Sequence, residues 1–371
     1  MPSAENFDSF SSAAAGKYRQ NALYVRMESL FDLEPSDWLD DEPVPAAAAM
    51  HVHEYVHYLH NVSTVAGQAY LAANLVFLRA LSTGCDEGGY FLGVEQVPTL
   101  QRQWLSMTTT MMDTQLGSTR AAALELCRDF SEWQFHSPRV VVGDDGMRSA
   151  TAAFEARDSL GDRKSETVSI GLSFVTEGIA YEVDREMRRL TGMAADDLDK
   201  GTANFPYRAY RAAIESWSGR PLSPRDSIAV GVAALGYPFP GAALISLCGL
   251  LGKSDGVVVP DLIEKSGDER LANSRAALDT LRKLSAGLAN GGPVEKGIAE
   301  YIKLVEAGAL LRKECRQPPE FAFLSEKLTA KDARDLMGKM IDCLVIQGKP
   351  GGEADMAWIG PGHAVKDENV S

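Results

Sequence analysis

No run of lysines and arginines stands out in this chain, and acidic residues exceed basic ones enough to give a formal net charge of −14. Such a surface repels phosphates on average, which excludes nucleic acid as the expected partner. Cysteine is scarce: Cys85, Cys127, Cys248, Cys315 and Cys343 are scattered without paired spacing, as expected for reduced thiols in a cytoplasmic protein. Residues 1–16 are polar and rich in small side chains, so no secretory leader is read there. An unbroken apolar run of membrane length is also missing. The longest candidate, 228–251, is cut in its middle by Gly236-Tyr237-Pro238-Phe239-Pro240-Gly241 and reads as two short buried helices joined by a tight turn, with no membrane partner. No internal repeat is visible.

What the chain does hold is apolar mass and one short histidine motif. With 45% hydrophobic residues in 371, it can bury a substantial core as one large or two closely packed domains. Within it lies His53-Glu54-Tyr55-Val56-His57. The preceding Pro45-Ala46-Ala47-Ala48-Ala49-Met50 puts a proline at a first helical position with strong helix formers after it. Asp40, Asp41 and Glu42 lead into that start, and apolar residues continue through Leu71 to Leu81, so the histidines are expected on a helix. Helical residues four apart lie about 40° round the axis and one turn along it, so both imidazoles can grip one metal ion. Glu54, about 100° round, is off that grip but beside it, where its carboxylate can take a proton from water.

Two histidines leave a catalytic metal short of a protein ligand. The pattern with a third histidine six residues past the second, beyond a glycine, is excluded because His60 and Ser63 hold those positions. The other common source is a glutamate on a later helix, and Ser173-Phe174-Val175-Thr176-Glu177-Gly178-Ile179-Ala180-Tyr181 offers one. Glu177-Gly178-Ile179-Ala180 resembles the Asn-Glu-Gly-x-Ala segment of the aminopeptidase-type gluzincins, with Thr176 in place of the asparagine. The resemblance implies zinc (Zn2+) held by His53, His57 and Glu177, Glu54 as general base and acid, and small residues that let two helices approach closely.

The residues around Glu177 point the same way without the family. Ser173 is placed to cap a helix from about residue 174, and Ile179, Val183 and Met187 form an apolar stripe at helical spacing. Glu177, Tyr181 and Asp184 share a face. A ligating imidazole usually gives its other N–H to a carboxylate or carbonyl; Asp184 is the candidate for that role, with Glu182 next. Tyr181, one turn beyond Glu177, is the candidate donor to a developing oxyanion, ahead of His136, Tyr207, Arg208 and Tyr210. His60 returns to the face of His53 and is a candidate for the pocket rather than a ligand; His136 is a second pocket candidate. His51 points away from that face, and His363 sits in a Gly- and Pro-rich tail.

Other metals fit less well. Glu54 and His57 also read as Glu-x-x-His, but a di-iron site needs two such units and no other histidine follows a glutamate by three. Mononuclear iron shares the set of two histidines and one carboxylate; zinc is favoured because it gives Glu54 a role in activating water. The expected fold is mainly α with a small β-sheet (α+β): a zincin-like metal-binding core over 1–200, a helical C-terminal region over 201–347 packed on it, and a flexible tail over 348–371. Strand character falls at 23–30 and 139–142, and at 167–172 as an edge strand on which an extended peptide can add by backbone pairing. Helices are expected at 99–116, 121–130, 207–217, 269–286, 293–311 and 329–345. The expected function is a zinc metallopeptidase acting on an intracellular protein or peptide. A metal-dependent hydrolase or tailoring enzyme for a small molecule, and a non-catalytic partner-binding protein with a structural metal, stay open.

Overall fold

The computed structural model describes residues 16–18, 24–27, 46–125, 130–158, 160–200, 202–253, 258–287, 293–326, 328–348 and 354–359. Pro45 with the acidic residues before it, and His363, lie outside the described residues. The chain is mainly helical with small sheets, the α+β class expected. Strands β1 (Gly16–Tyr18) and β2 (Tyr24–Met27) precede helices α1 (Ala46–Ser63), α2 (Val65–Ser82), α3 (Thr99–Leu116) and α4 (Ala122–Glu125). Strands β3 (Phe130–Phe135), β4 (Arg139–Val142), β5 (Arg148–Asp158) and β6 (Arg163–Ser169) follow. Helices α5 (Leu172–Leu190), α6 (Ala195–Leu198), α7 (Ala209–Ser218), α8 (Pro224–Ala234) and α9 (Pro240–Lys253) come next. Helices α10 (Val259–Lys265), α11 (Gly267–Ala286), α12 (Pro293–Glu314) and α13 (Ala330–Met340) then lead to β7 (Cys343–Gly348) and β8 (Ala354–Ile359).

The helical run expected from 46 to 81 is two helices. Thr64 parts them: its hydroxyl donates to the His60 carbonyl at 2.6 Å and accepts from the Gly67 N–H at 3.2 Å, capping α2 where α1 ends. Gly67 makes the sharp join fit, since a Cβ there would fall 2.2 Å from the Asn61 carbonyl oxygen. Helix α1 is buried on every face from 51 to 63 and packs on α5 and α12. Its far side is tied to the end of the chain. The Tyr55 hydroxyl lies 2.8 Å from the Met337 carbonyl and accepts from the Ile341 N–H at 3.1 Å, and the Tyr58 hydroxyl donates to the Asp342 carbonyl at 2.7 Å.

One sheet joins the two ends of the chain. Its order is β1-β2-β7-β8, with β2 parallel to β7 and the outer pairs antiparallel. Residues 343–345, expected to finish a helix, are therefore in a strand, and 354–359, expected within a flexible tail, form β8 on its edge. Cys343, Leu344 and Val345 are buried in succession, the pattern of a strand covered on both faces, and pairing with β2 and β8 satisfies their backbone. In the second sheet β5 is central, with β3 and β4 along one side and β6 along the other. Phe130, expected in a helix, opens β3. Ala150, Ala152, Phe154 and Ala156 form the buried face of β5, which lies toward α9.

The apolar core is continuous from Val25 to Val345 and runs through both sides of residue 200. The 228–251 stretch forms α8 and α9, two short helices as expected. Among the described residues no helix is long and apolar enough to cross a membrane.

Candidate metal centre

Two helices carry the site. Helix α1 presents His53 and His57 from adjacent turns, and α5, starting at Leu172 after Gly171 rather than at a Ser173 cap, presents Glu177 in its second turn. Gly178 seats α5: a Cβ there would fall 2.0 Å from Cγ of Tyr210 on α7, whose hydroxyl donates to the Ser227 carbonyl at 3.0 Å. The small residue after the glutamate thus admits an aromatic ring from α7.

The three expected ligands converge. Nε2 of His57 lies 3.2 Å from Nε2 of His53 and 3.1 Å from Oε2 of Glu177, and His53 Nε2 lies 3.7 Å from the same oxygen. A tetrahedral zinc with bonds of about 2.0–2.1 Å to nitrogen and oxygen has donors about 3.3 Å apart. The three donors already stand near the corners of one face of such a tetrahedron, so the residues fit the ion. Both histidines are 6% exposed, whereas the Glu177 side chain is 30% exposed, so the cluster opens to solvent on its Glu177 side. Burial alone would lower the His53 pKa, but the Glu177 hydrogen bond and the charges of Glu54 and Glu177 outweigh it and push it up to about 9. Burial likewise pushes Glu177 up, and the charge and hydrogen bonds of His57 and His53 overcome it, holding the carboxyl well below the usual range. Glu54, also 6% exposed, is near enough for its charge to act on both His53 and Tyr207.

The supporting residues are placed differently from expectation. The Tyr181 hydroxyl is committed elsewhere: it donates to Asp199 at 2.5 Å, and Asp199 also takes Arg185 at 2.6 and 3.0 Å. The phenol in the site is Tyr207, in the irregular turn before α7, with its ring centroid 6.0 Å from that of His53. Burial, then the charges of Glu177 and Glu54, push its pKa well above the ordinary phenol range, so it stays a donor. Asp184 does not hydrogen-bond His53: Arg188 takes both of its oxygens at 2.9 and 3.0 Å, and among the described residues Nδ1 of His53 has no partner. Asp184 acts on the site through its charge alone. Glu182, the alternative, is buried beside Arg211 at 3.8 Å.

His60 belongs to another network. Its Nε2–H donates to Glu320 at 3.0 Å; Arg312 clamps Glu320 at 2.6 and 3.0 Å and donates to the Ser63 hydroxyl at 2.9 Å. Burial drives the His60 pKa down to about 4 against the pull of Glu320, so the imidazole is neutral. No spacing in the sequence links His60 to Glu320. His136 is exposed at the end of β3 and is not part of the cluster. Among the described residues edge strand β6 pairs with β5 alone of the strands, but its end nearest α5 is covered: the Ser118 N–H donates to the Ser169 carbonyl at 2.8 Å. The Ala123 N–H caps the Glu166 carboxylate on the same strand at 2.8 Å. No protein-family model matches this chain, and no curated protein or solved structure matches it either.

Proposed function

We propose that this chain is a zinc-dependent metallopeptidase. The observation that carries the reading is the convergence of His53, His57 and Glu177, from helices distant in sequence, on donor separations of 3.1, 3.2 and 3.7 Å. Zinc, when bound there, supplies Lewis-acid polarisation of the scissile carbonyl. The Glu54 carboxylate takes a proton from the attacking water and returns it to the leaving amine nitrogen. The Tyr207 hydroxyl donates to the carbonyl oxygen as it gains negative charge. The Glu177 carboxylate, 30% exposed, marks the side from which substrate reaches these groups.

The test is elemental analysis of wild-type, Glu54→Gln and Glu177→Ala proteins, purified without chelators or metal-affinity resin, together with a peptide-hydrolysis assay. Stoichiometric zinc is expected in the wild type and in Glu54→Gln, with hydrolysis lost in the latter, and zinc lost in Glu177→Ala. Zinc content indifferent to Glu177 overturns the ligand set. A second reading, hydrolysis of a compact small-molecule amide or ester, is favoured by the cover over Ser169, which removes backbone pairing at that end of β6. A panel of extended peptides set against small amides and esters separates the two.

A further inference from the structure

At the C-terminal end of the helix that carries the two histidines lies a cavity of about 310 Å3. Ser63 of α1, Asp268, Arg270 and Ser274 of α11, and Arg312 and Lys313 of α12 contribute to its wall, and none of the proposed metal ligands does. Three cations against one carboxylate is an unexpected lining in a chain of net charge −14. The charge of Arg312 is answered by Glu320, at 2.6 and 3.0 Å. Arg270 is half-buried and makes no ion pair among the described residues. Its Nη2 donates to the Ile263 carbonyl at 2.7 Å, and its Nε–H is buried without an acceptor. Burial holds its pKa below the ordinary value, and the nearby charge of Arg312 lowers it further. The stem is held in place by packing: a Cβ on Gly236 would fall 2.4 Å from Cδ of Arg270. Lys313 is exposed at the rim and also makes no ion pair among the described residues.

A guanidinium drawn partly out of water without a counter-charge is costly, and an anion in the cavity offsets that cost. We propose that this cavity binds the phosphate group of a small molecule. Arg270 and Ser274 stand one turn apart on α11 and line one wall, while Lys313 adds an exposed positive charge from the next. A tetrahedral dianion has acceptors for donors arriving from several directions, which a planar carboxylate lacks. The cavity volume, about 310 Å3, lies at the lower end of small-molecule sites. The site does not rest on the metal reading, and its test reads binding rather than turnover.

The experiment is isothermal titration calorimetry of the full-length chain with inorganic phosphate, with chloride and acetate at matched ionic strength as controls. Saturable phosphate binding is expected, stronger than that of either control. Arg270→Gln is expected to weaken it about ten- to a hundredfold, as for loss of a charge-assisted hydrogen bond. Lys313→Ala, at an exposed position that leaves folding intact, is expected to weaken it several-fold and to flatten its dependence on salt. Phosphate heats no larger than those of chloride, acetate binding as tightly as phosphate, or phosphate affinity unchanged in Lys313→Ala overturns the proposal.

Discussion

Tyr181 and Tyr207 have ring centroids 5.6 Å apart, and what separates them is where each hydroxyl goes. Tyr181 is committed to Asp199, while Tyr207 stands by the carboxylates of Glu177 and Glu54. Tyr207→Phe is therefore expected to lower kcat about a hundred- to a thousandfold, as for loss of an oxyanion donor, with zinc content unchanged. Tyr181→Phe is expected to cost about 1 kcal/mol of stability and leave kcat within a few-fold of wild type. Steady-state kinetics and urea unfolding of the two variants check both. His60 gives the pH dependence of the fold. Its pKa is about 4 in the folded protein against 6.5 for the free group, so the unfolded chain takes up the proton first as pH falls. The stability due to neutral His60 is complete above about pH 6.5 and is lost as pH falls through about 4, an effect on the order of 3 kcal/mol. Urea unfolding across that window should show the loss, and His60→Gln, which keeps a donor to Glu320 but does not titrate, should flatten it. Equal pH slopes in the two proteins would remove His60 from this role.

Between helices, the seat of α5 is a tight constraint. Tyr210 is enclosed by Gly178 on one side and Gly231 on the other, where a Cβ would fall 2.0 Å from its Cγ and 2.2 Å from its hydroxyl oxygen. Gly178→Ala is expected to destabilise the protein by about 1–3 kcal/mol through overpacking. Because Glu177 is the next residue, the same change should weaken zinc binding, and calorimetric melting with a zinc titration reads both. How much was legible in the sequence follows from how local each element is. Helix α3 and strand β4 match their expected bounds, and the 228–251 stretch divides as expected, because proline, glycine and short-range patterning decide them. The juxtaposition of His53, His57 and Glu177 was also legible, since helical period and the Glu-Gly pair are local signals. The break at Thr64 was not, because the apolar pattern continues across it and the cap is a matter of three residues. Strand β7 was hidden for the opposite reason: its partner β2 lies at the other end of the chain. The surroundings of His60 and Tyr207 are not legible in the sequence either, one being set by a distant partner and the other by an irregular turn that helical spacing does not describe.

Over the whole molecule, the helix bearing the histidine pair is a shared part. One face meets α5 at the proposed metal ligands, and the other is held by Tyr55 and Tyr58 to the backbone of residues 337–342. Tyr55→Phe is expected to cost about 1–2 kcal/mol, for loss of bonds to two buried backbone groups. Removal of residues 343–371 takes β7 from the middle of the sheet and β8 from its edge, and should abolish a cooperative thermal transition followed by circular dichroism. A two-state melt in the truncated chain would show that the sheet is dispensable to the fold. The same ties set an order of events during synthesis. A nascent chain acquires His53, His57 and Glu177 well before Met337 and Asp342, whose carbonyls fix the far side of the histidine helix. If the centre cuts peptides, its rigid form waits on residues 337–342, and a growing chain that has not reached them carries the donors without the frame that steadies them.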